Sequence, residues 1–254
     1  MTDETRPAFY AAAAGGWRDW WTLLHPPYTA WNLAYVTIGC ALAPRLDVGR
    51  LVLILAAFFL GLGVSAHALD ELNGRPLRTG LSDGVLKAAA ALGLVGAVTL
   101  GISGVTGVAL GIARTTAVGG KLVPFIGVAV FGVLTYNLEW FGGRLHTDAA
   151  FAAFWGAFPV LSGYFVQAER LDAVAVIAAL AAFALSRAQR TLSARARFMR
   201  RDVSAVRAEL ELSDGSIGGM DKAEMLVPLD ASLHALSWSI VLLAAALVAS
   251  RLST

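Results

Sequence analysis

Residues 51–71, LVLILAAFFLGLGVSAHALDE, decide how the rest of the chain is read. An uncharged, largely apolar run from Leu51 to Ala66 ends in three ionisable residues, His67, Asp70 and Glu71. A helix needs about 20 mostly apolar residues to cross the hydrocarbon core of a bilayer. This stretch meets that length and carries its chemistry at one end. Six further stretches read the same way, at 28–44, 84–103, 122–141, 147–167, 172–190 and 230–250. The composition agrees: 15% of residues are charged and 57% hydrophobic, where a soluble domain carries about 25% charged residues. An ordinary soluble enzyme is excluded. The formal net charge of +2 gives no support to nucleic-acid binding, so no nucleic-acid partner is expected. The expected fold class is all-α, a polytopic transmembrane helix bundle of about seven spans. Alanine and glycine crowd these spans, as expected where helix backbones pack closely in lipid.

The chain divides into an N-terminal interfacial segment (1–27), six transmembrane helices (28–190), a basic amphipathic segment (191–229) and a seventh span (230–254). The acidic start, MTDET, lacks the basic n-region of a cleavable signal peptide. The segment 104–121, rich in Gly and Thr, reads as an outer loop or a re-entrant piece. Residues 191–212 read as a basic helix, with Leu192, Phe198, Met199, Val203, Val206 and Leu210 among arginines. Such a helix either lies on an anionic leaflet or packs on the bundle. Trp17-Arg18-Asp19-Trp20-Trp21 reads as an interfacial anchor, because tryptophan prefers the headgroup region. Lys and Arg concentrate in 187–222, near the N-terminus, in the 72–83 loop and at Arg144. By the positive-inside rule this side is cytoplasmic. The expectation is an integral inner-membrane protein with its N-terminus in the cytoplasm and its C-terminus outside.

Ionisable groups in or beside spans are costly and ask for a partner or a function. His67 and Glu71 are i, i+4 at the end of the second span and so share a helix face, with Asp70 at i+3. Asp230 and His234 repeat the i, i+4 relation at the start of the last span. Glu139 ends the fourth span, and His146 begins the fifth across Gly142-Gly143-Arg144. All of these lie at one depth under the expected topology. His67, Glu71, Glu139, His146, Asp230 and His234 therefore form a candidate metal set. Nitrogen and carboxylate donors without thiolate suit iron first, with zinc possible. Asp70 is a ligand or a carboxylate that orients an imidazole. A proton relay or buried ion-pair network is the alternative for the same residues. Single members also have plainer readings, with His25 and Asp148 as helix-end residues and Asp230 as an N-cap. The lone cysteine, Cys40, excludes an internal disulfide and a thiolate zinc cluster.

Residues 66–80, AHALDELNGRPLRTG, bring a resemblance. The chain over about 28–167 resembles the UbiA superfamily of intramembrane prenyltransferases. In that family the second helix ends in an aspartate-rich motif, followed by a loop containing R-P-L-x-x-G. Arg75-Pro76-Leu77 and Gly80 match the loop. The resemblance implies a UbiA-like bundle, with Asp70, Glu71, Arg75 and Arg78 meeting a prenyl diphosphate and Mg²⁺. The departures are specific. Ala66 and His67 stand at the Asn-Asp positions, and Ser186-Arg187-Ala188-Gln189-Arg190 stands where a second aspartate motif belongs.

The leading expectation is a metal-dependent membrane enzyme, with Glu71, Glu139 and Asp70 as catalytic carboxylates and iron as the favoured metal. It would act oxidatively on a lipid, isoprenoid or quinone, with an outside electron-donor protein as partner. Zinc hydrolysis, Mg²⁺-dependent prenyl transfer with Arg75 and Arg78 on the diphosphate, and a non-enzymatic transporter or ion-binding protein remain as alternatives.

Overall fold

The computed structural model describes residues 7–107 and 116–253. Arg6 and the MTDET start lie outside the described residues, as do residues 108–115 of the 104–121 segment, Arg114 among them. The elements, in chain order, are α1 (Trp17–Leu23), α2 (Pro26–Leu42), α3 (Val48–Leu72), α4 (Asp83–Thr106), α5 (Gly120–Asn137), α6 (Asp148–Ala168), α7 (Ala173–Arg201), β1 (Arg207–Glu211), β2 (Ile217–Asp221) and α8 (Lys222–Leu252). Six of these helices, α3 to α8, are long and apolar enough to cross a membrane. The 17-residue α2 lies among them. Outward faces are apolar: Leu92 on α4, Ile177 and Leu180 on α7, and Trp238 and Leu242 on α8 are all more than 60% exposed. In water such faces would drive aggregation; in a bilayer they are solvated by lipid. The chain is a helical membrane bundle.

Helix α2 is central because it packs against both α6 and α8, burying Trp31, Tyr35, Val36, Ile38 and Cys40. Glycine lets it approach α6 closely. A Cβ on Gly39 would stand 2.1 Å from the Val160 carbonyl oxygen, and one on Gly163 would stand 2.2 Å from that of Val36. Backbone therefore meets backbone in both directions. At the far end of the bundle, Arg251 of α8 donates to the Ala41 and Ala43 carbonyls at 2.8 and 2.9 Å. Those carbonyls close α2 and have no partner within the helix. At the same end the buried Arg50 donates to the Val166 carbonyl at 2.7 Å and pairs with Glu169 at 2.8 Å, fastening α3 to α6.

Two helices contain π-turns, at Phe59–Ala66 in α3 and Ala152–Ala157 in α6. Each is gripped through a glycine. Gly93 of α4 lies against the Leu60 carbonyl, where a Cβ would come within 2.8 Å, and Gly156 lies equally close to the Ala182 carbonyl of α7. The widened turn reorients the residues that follow it, and those after the first are His67 to Glu71.

The basic segment differs from its expected form. Helix α7 runs without a break to Arg201, and residues 207–221 form an antiparallel hairpin pairing Arg207 with Asp221 and Glu211 with Ile217. Gly215, at φ 81°, supplies the left-handed turn position. Leu192, Met199, Val203 and Val206 pack on Leu226 and Leu233 of α8. Internal packing thus takes most of the apolar stripe that the sequence could equally have given to a leaflet, leaving Phe198 and Leu210 exposed. Helix α8 starts at Lys222, well before Asp230. Its capping box has Asp221 accepting from the Glu224 amide and Glu224 accepting from the Asp221 amide. Asp230 is consequently inside a helix, not an N-cap.

A branched side chain at Gly163, as in G163V, is expected to destabilise by about 3 kcal/mol, the upper range for overpacking. Gly127→Ala, where the space is open, is expected to be neutral or gain up to about 1 kcal/mol from helix propensity. Thermal melts and size-exclusion profiles of the two variants in detergent check this contrast.

Candidate functional site: a basic cavity joined to an apolar groove

The end of α3 distributes its three ionisable residues in different directions. His67 Nδ1 donates to the Gly63 carbonyl at 3.0 Å. The ring also meets the Leu24 backbone, so His67 lies between two backbone partners. His67 and Asp70 line a cavity of about 240 Å³. Glu71, one turn on, lies outside the lining and is fully buried. Its Oε2 accepts from the Leu77 amide at 2.9 Å, and its Oε1 accepts from the Thr79 amide and hydroxyl at 2.8 and 2.9 Å. The 73–81 loop is wrapped around this carboxylate, with Gly74, Arg75 and Arg78 all at positive φ. Arg75 donates to the Leu81 carbonyl and pairs with Asp83, so its guanidinium braces the loop. Arg78 is exposed. Pro76 and Leu77 become part of the cavity wall.

Helix α7 supplies the opposite wall. Arg190, Arg197 and Arg201, with Gln189 and Ser193, line the cavity at spacings that share one helical face. Asp70 is the one carboxylate among the lining residues. Three guanidiniums against one carboxylate give the lining residues a formal charge of +2 before any imidazole is counted, with Arg190 paired to Asp148 just outside the lining. His25 stacks on His67 with ring centroids 4.1 Å apart and planes 13° apart. Burial, reinforced by His67 and by Arg197 and Arg201, holds His25 well below the usual histidine range. Its Nε2 and the hydroxyl of the buried Tyr136 have no hydrogen-bond partner among the described residues. His146 donates from Nδ1 to the Tyr136 carbonyl at 3.0 Å and stacks on the Tyr136 ring. Burial also raises the Tyr10 phenol well above its usual value.

A second, apolar hollow of about 120 Å³ lies between α3, α4, α5 and α6, lined by Leu62, Leu94, Phe125, Val133, Phe154 and Phe158 among others. Trp155, next to Phe154 in the second π-turn, lines both spaces. The basic cavity and the apolar groove therefore share a wall.

The expected metal set is not assembled. Among the described residues, no three His, Cys, Asp or Glu side chains converge as a metal ion requires. Glu71 is occupied by its loop. Asp230 pairs with the buried Arg200 of α7. Glu139 is half exposed, accepting from Asn73 at 3.2 Å, and lies 4.0 Å from His146. His234 is exposed and packs on Phe9 at 4.4 Å. Of the six, only His67 and His146 reach the cavity. Equal depth does not mean a shared direction, and helix rotation separates the rest. Asp148 pairs with Arg190 while Thr147 caps α6. His25 does terminate a helix, but it makes no capping hydrogen bond and faces the cavity. The residues missed were Arg190, Arg197 and Arg201, together with Tyr10, Tyr28 and Asn32. Extending the α7 periodicity beyond residue 190 would have put the three arginines on one face. Comparison with protein families, with curated proteins and with solved structures returned no match.

Removing the Glu71 carboxylate orphans three buried donors. Glu71→Ala is expected to cost roughly 3 kcal/mol, more than Glu139→Ala at its exposed position, as read from paired thermal melts. Acid should also destabilise the fold through His25. The unfolded imidazole takes a proton near 6.5, whereas the folded one resists it. Stability is therefore retained above that pH and lost progressively as pH falls toward the lowered folded value. His25→Asn is expected to flatten the slope of melting temperature against pH between about 7.5 and 5.

Proposed function

We propose that this chain is an integral membrane enzyme acting on an amphiphile with an anionic head, a lipid or an isoprenoid. Seven helices cross the membrane, α2 included, since 17 residues is at the short end of the spanning range. The arginine-rich end faces the cytoplasm, with the C-terminus outside, in the inner membrane. The head sits against Arg190, Arg197 and Arg201, and the tail follows the apolar groove past Trp155. The observation that carries this reading is the junction itself: a cavity walled by three guanidiniums and one carboxylate shares Trp155 with an aromatic-lined apolar space. Arginine suits this role because it stays charged when desolvated and offers planar, paired donors to phosphate or carboxylate oxygens.

In this reading Asp70, beside His67 in the cavity lining, takes or returns a proton at the bound head, and the Tyr136 hydroxyl donates to it. The Mg²⁺ implied by the UbiA resemblance fits poorly here. Hard cations on a diphosphate want several oxygen ligands, and Asp70 is the one carboxylate lining the cavity. Arginine supplies the positive charge instead. Iron fares no better as a centre for oxidative chemistry, since the six residues proposed to hold it point apart.

Dodecyl phosphate is a sufficient probe. With EDTA present it is expected to raise the melting temperature of the purified protein, and dodecanol is not. Arg197→Ala is expected to weaken the phosphate effect at least tenfold in apparent affinity. Equal stabilisation by the neutral alcohol, or an undiminished effect in Arg197→Ala, would overturn the assignment.

A further inference from the structure

One stretch of chain without regular secondary structure forms part of the cavity wall. Residues 7–12 cross between the end of α7 and the start of α2, and Ala8 and Tyr10 line the basic cavity. Its attachments are side-chain contacts, with no backbone ladder to its neighbours. Arg201 Nε donates to the Pro7 carbonyl at 3.3 Å, the Trp21 indole donates to the Tyr10 carbonyl at 3.2 Å, and the Ala12 amide donates to the Thr22 hydroxyl at 3.0 Å. Phe9 is the main anchor, with ring contacts to Tyr28 and to the exposed His234 and packing on the α7–α8 cluster around Met199 and Leu233. Tyr10 rests against His25 and Tyr28 at 5.2 and 5.5 Å. Ala8 and Ala11 are nonetheless buried, so the stretch covers what lies beneath it.

A segment held by side-chain contacts rather than by a backbone ladder opens at low cost compared with the helices around it. Two of its attachments lead to α1, whose Trp17, Trp20 and Trp21 are 71, 37 and 47% exposed. Such a helix lies in the headgroup layer. The third attachment, Arg201, is also a wall of the cavity. The strap is thus fastened to a residue of the cavity wall itself.

We propose that residues 7–12 are a strap that closes the water-facing mouth of the basic cavity. It is tethered to the membrane surface through α1, and it parts from Tyr28 and His234 to admit water-soluble reactants. The amphiphile itself reaches the groove from the lipid. This gate rests on the amphiphile-site reading only for what it encloses.

The test is thiol access in lipid nanodiscs. Ser193 is 1% exposed and lines the cavity, and Ser193→Cys in a Cys40→Ala background places a reporter there with little change of shape. The reagent is 2-sulfonatoethyl methanethiosulfonate, which does not enter lipid. Labelling is expected to be slow with the strap intact and at least tenfold faster with Phe9→Ala. Trp21→Phe, which removes only an exposed indole donor, is expected to move in the same direction and guards against misfolding of the first variant. The fully buried Cys40 of the otherwise native chain must stay unreactive with Phe9→Ala, which separates strap opening from general loosening. A labelling rate at Ser193→Cys that is the same with and without Phe9, whether fast or slow, would overturn the strap. Loss of the dodecyl phosphate effect alone would leave the strap standing and remove the anionic head.

Discussion

The contact on which the architecture depends is the mutual approach of α2 and α6 through Gly39 and Gly163. In lipid there is no hydrophobic force to bring helices together, so association depends on how closely surfaces fit. Here each glycine receives the other helix's carbonyl at a distance no side chain would allow. With α2 fixed against α6, its other side is left to α8, and the N-terminal end of α2 brings His25, Tyr28 and Asn32 to the cavity. The same principle operates at the π-turns. Gly93 and Gly156 let neighbouring backbones press on α3 and α6 where those helices are widened. The site is therefore positioned by small residues that touch no ligand.

Much of this was legible in the sequence, and the boundary of what was legible is physical. Apolar runs of spanning length identify the helices because burying polar backbone in lipid leaves few other solutions. The loop after α3 was also visible as a distinct motif. What the pattern did not reveal was direction. His67, Asp70 and Glu71 fall within five residues, and an ideal helix puts His67 and Glu71 on one face. His67 to Leu72 is regular α-helix, so the π-turn before it rotates all three together, and it is the demand of the Leu77 and Thr79 amides for an acceptor that holds Glu71 outside the cavity lined by His67 and Asp70. Neither the widened turn nor the loop's donors can be seen in residue spacing alone.

The arginines of α7 teach the complementary lesson. In sequence they are a charge run, and a charge run first indicates which side of the membrane a loop occupies. The apolar positions between them, Leu192, Ala196 and Met199, turn out to pack internally. That packing extends the helix past the hydrocarbon and rotates Arg190, Arg197 and Arg201 over the open ends of α2 and α3. On the proposed reading, topology and binding would use the same residues, because charge that cannot enter the bilayer is available at its edge.

The division of labour inside the cavity follows from the same electrostatics. A guanidinium cannot give up its proton in a protein, so the α7 wall is a fixed positive field and not a participant in proton transfer. That field acts on the facing wall: Arg197 and Arg201 both help keep His25 neutral, and two stacked imidazoles 4.1 Å apart cannot both be charged cheaply. Asp70 is the one carboxylate lining the same cavity. An anionic head that neutralises the arginines would weaken the field and raise the basicity of the imidazoles opposite. On the proposed reading, binding at the arginine wall would therefore be felt at the imidazole wall through the field alone.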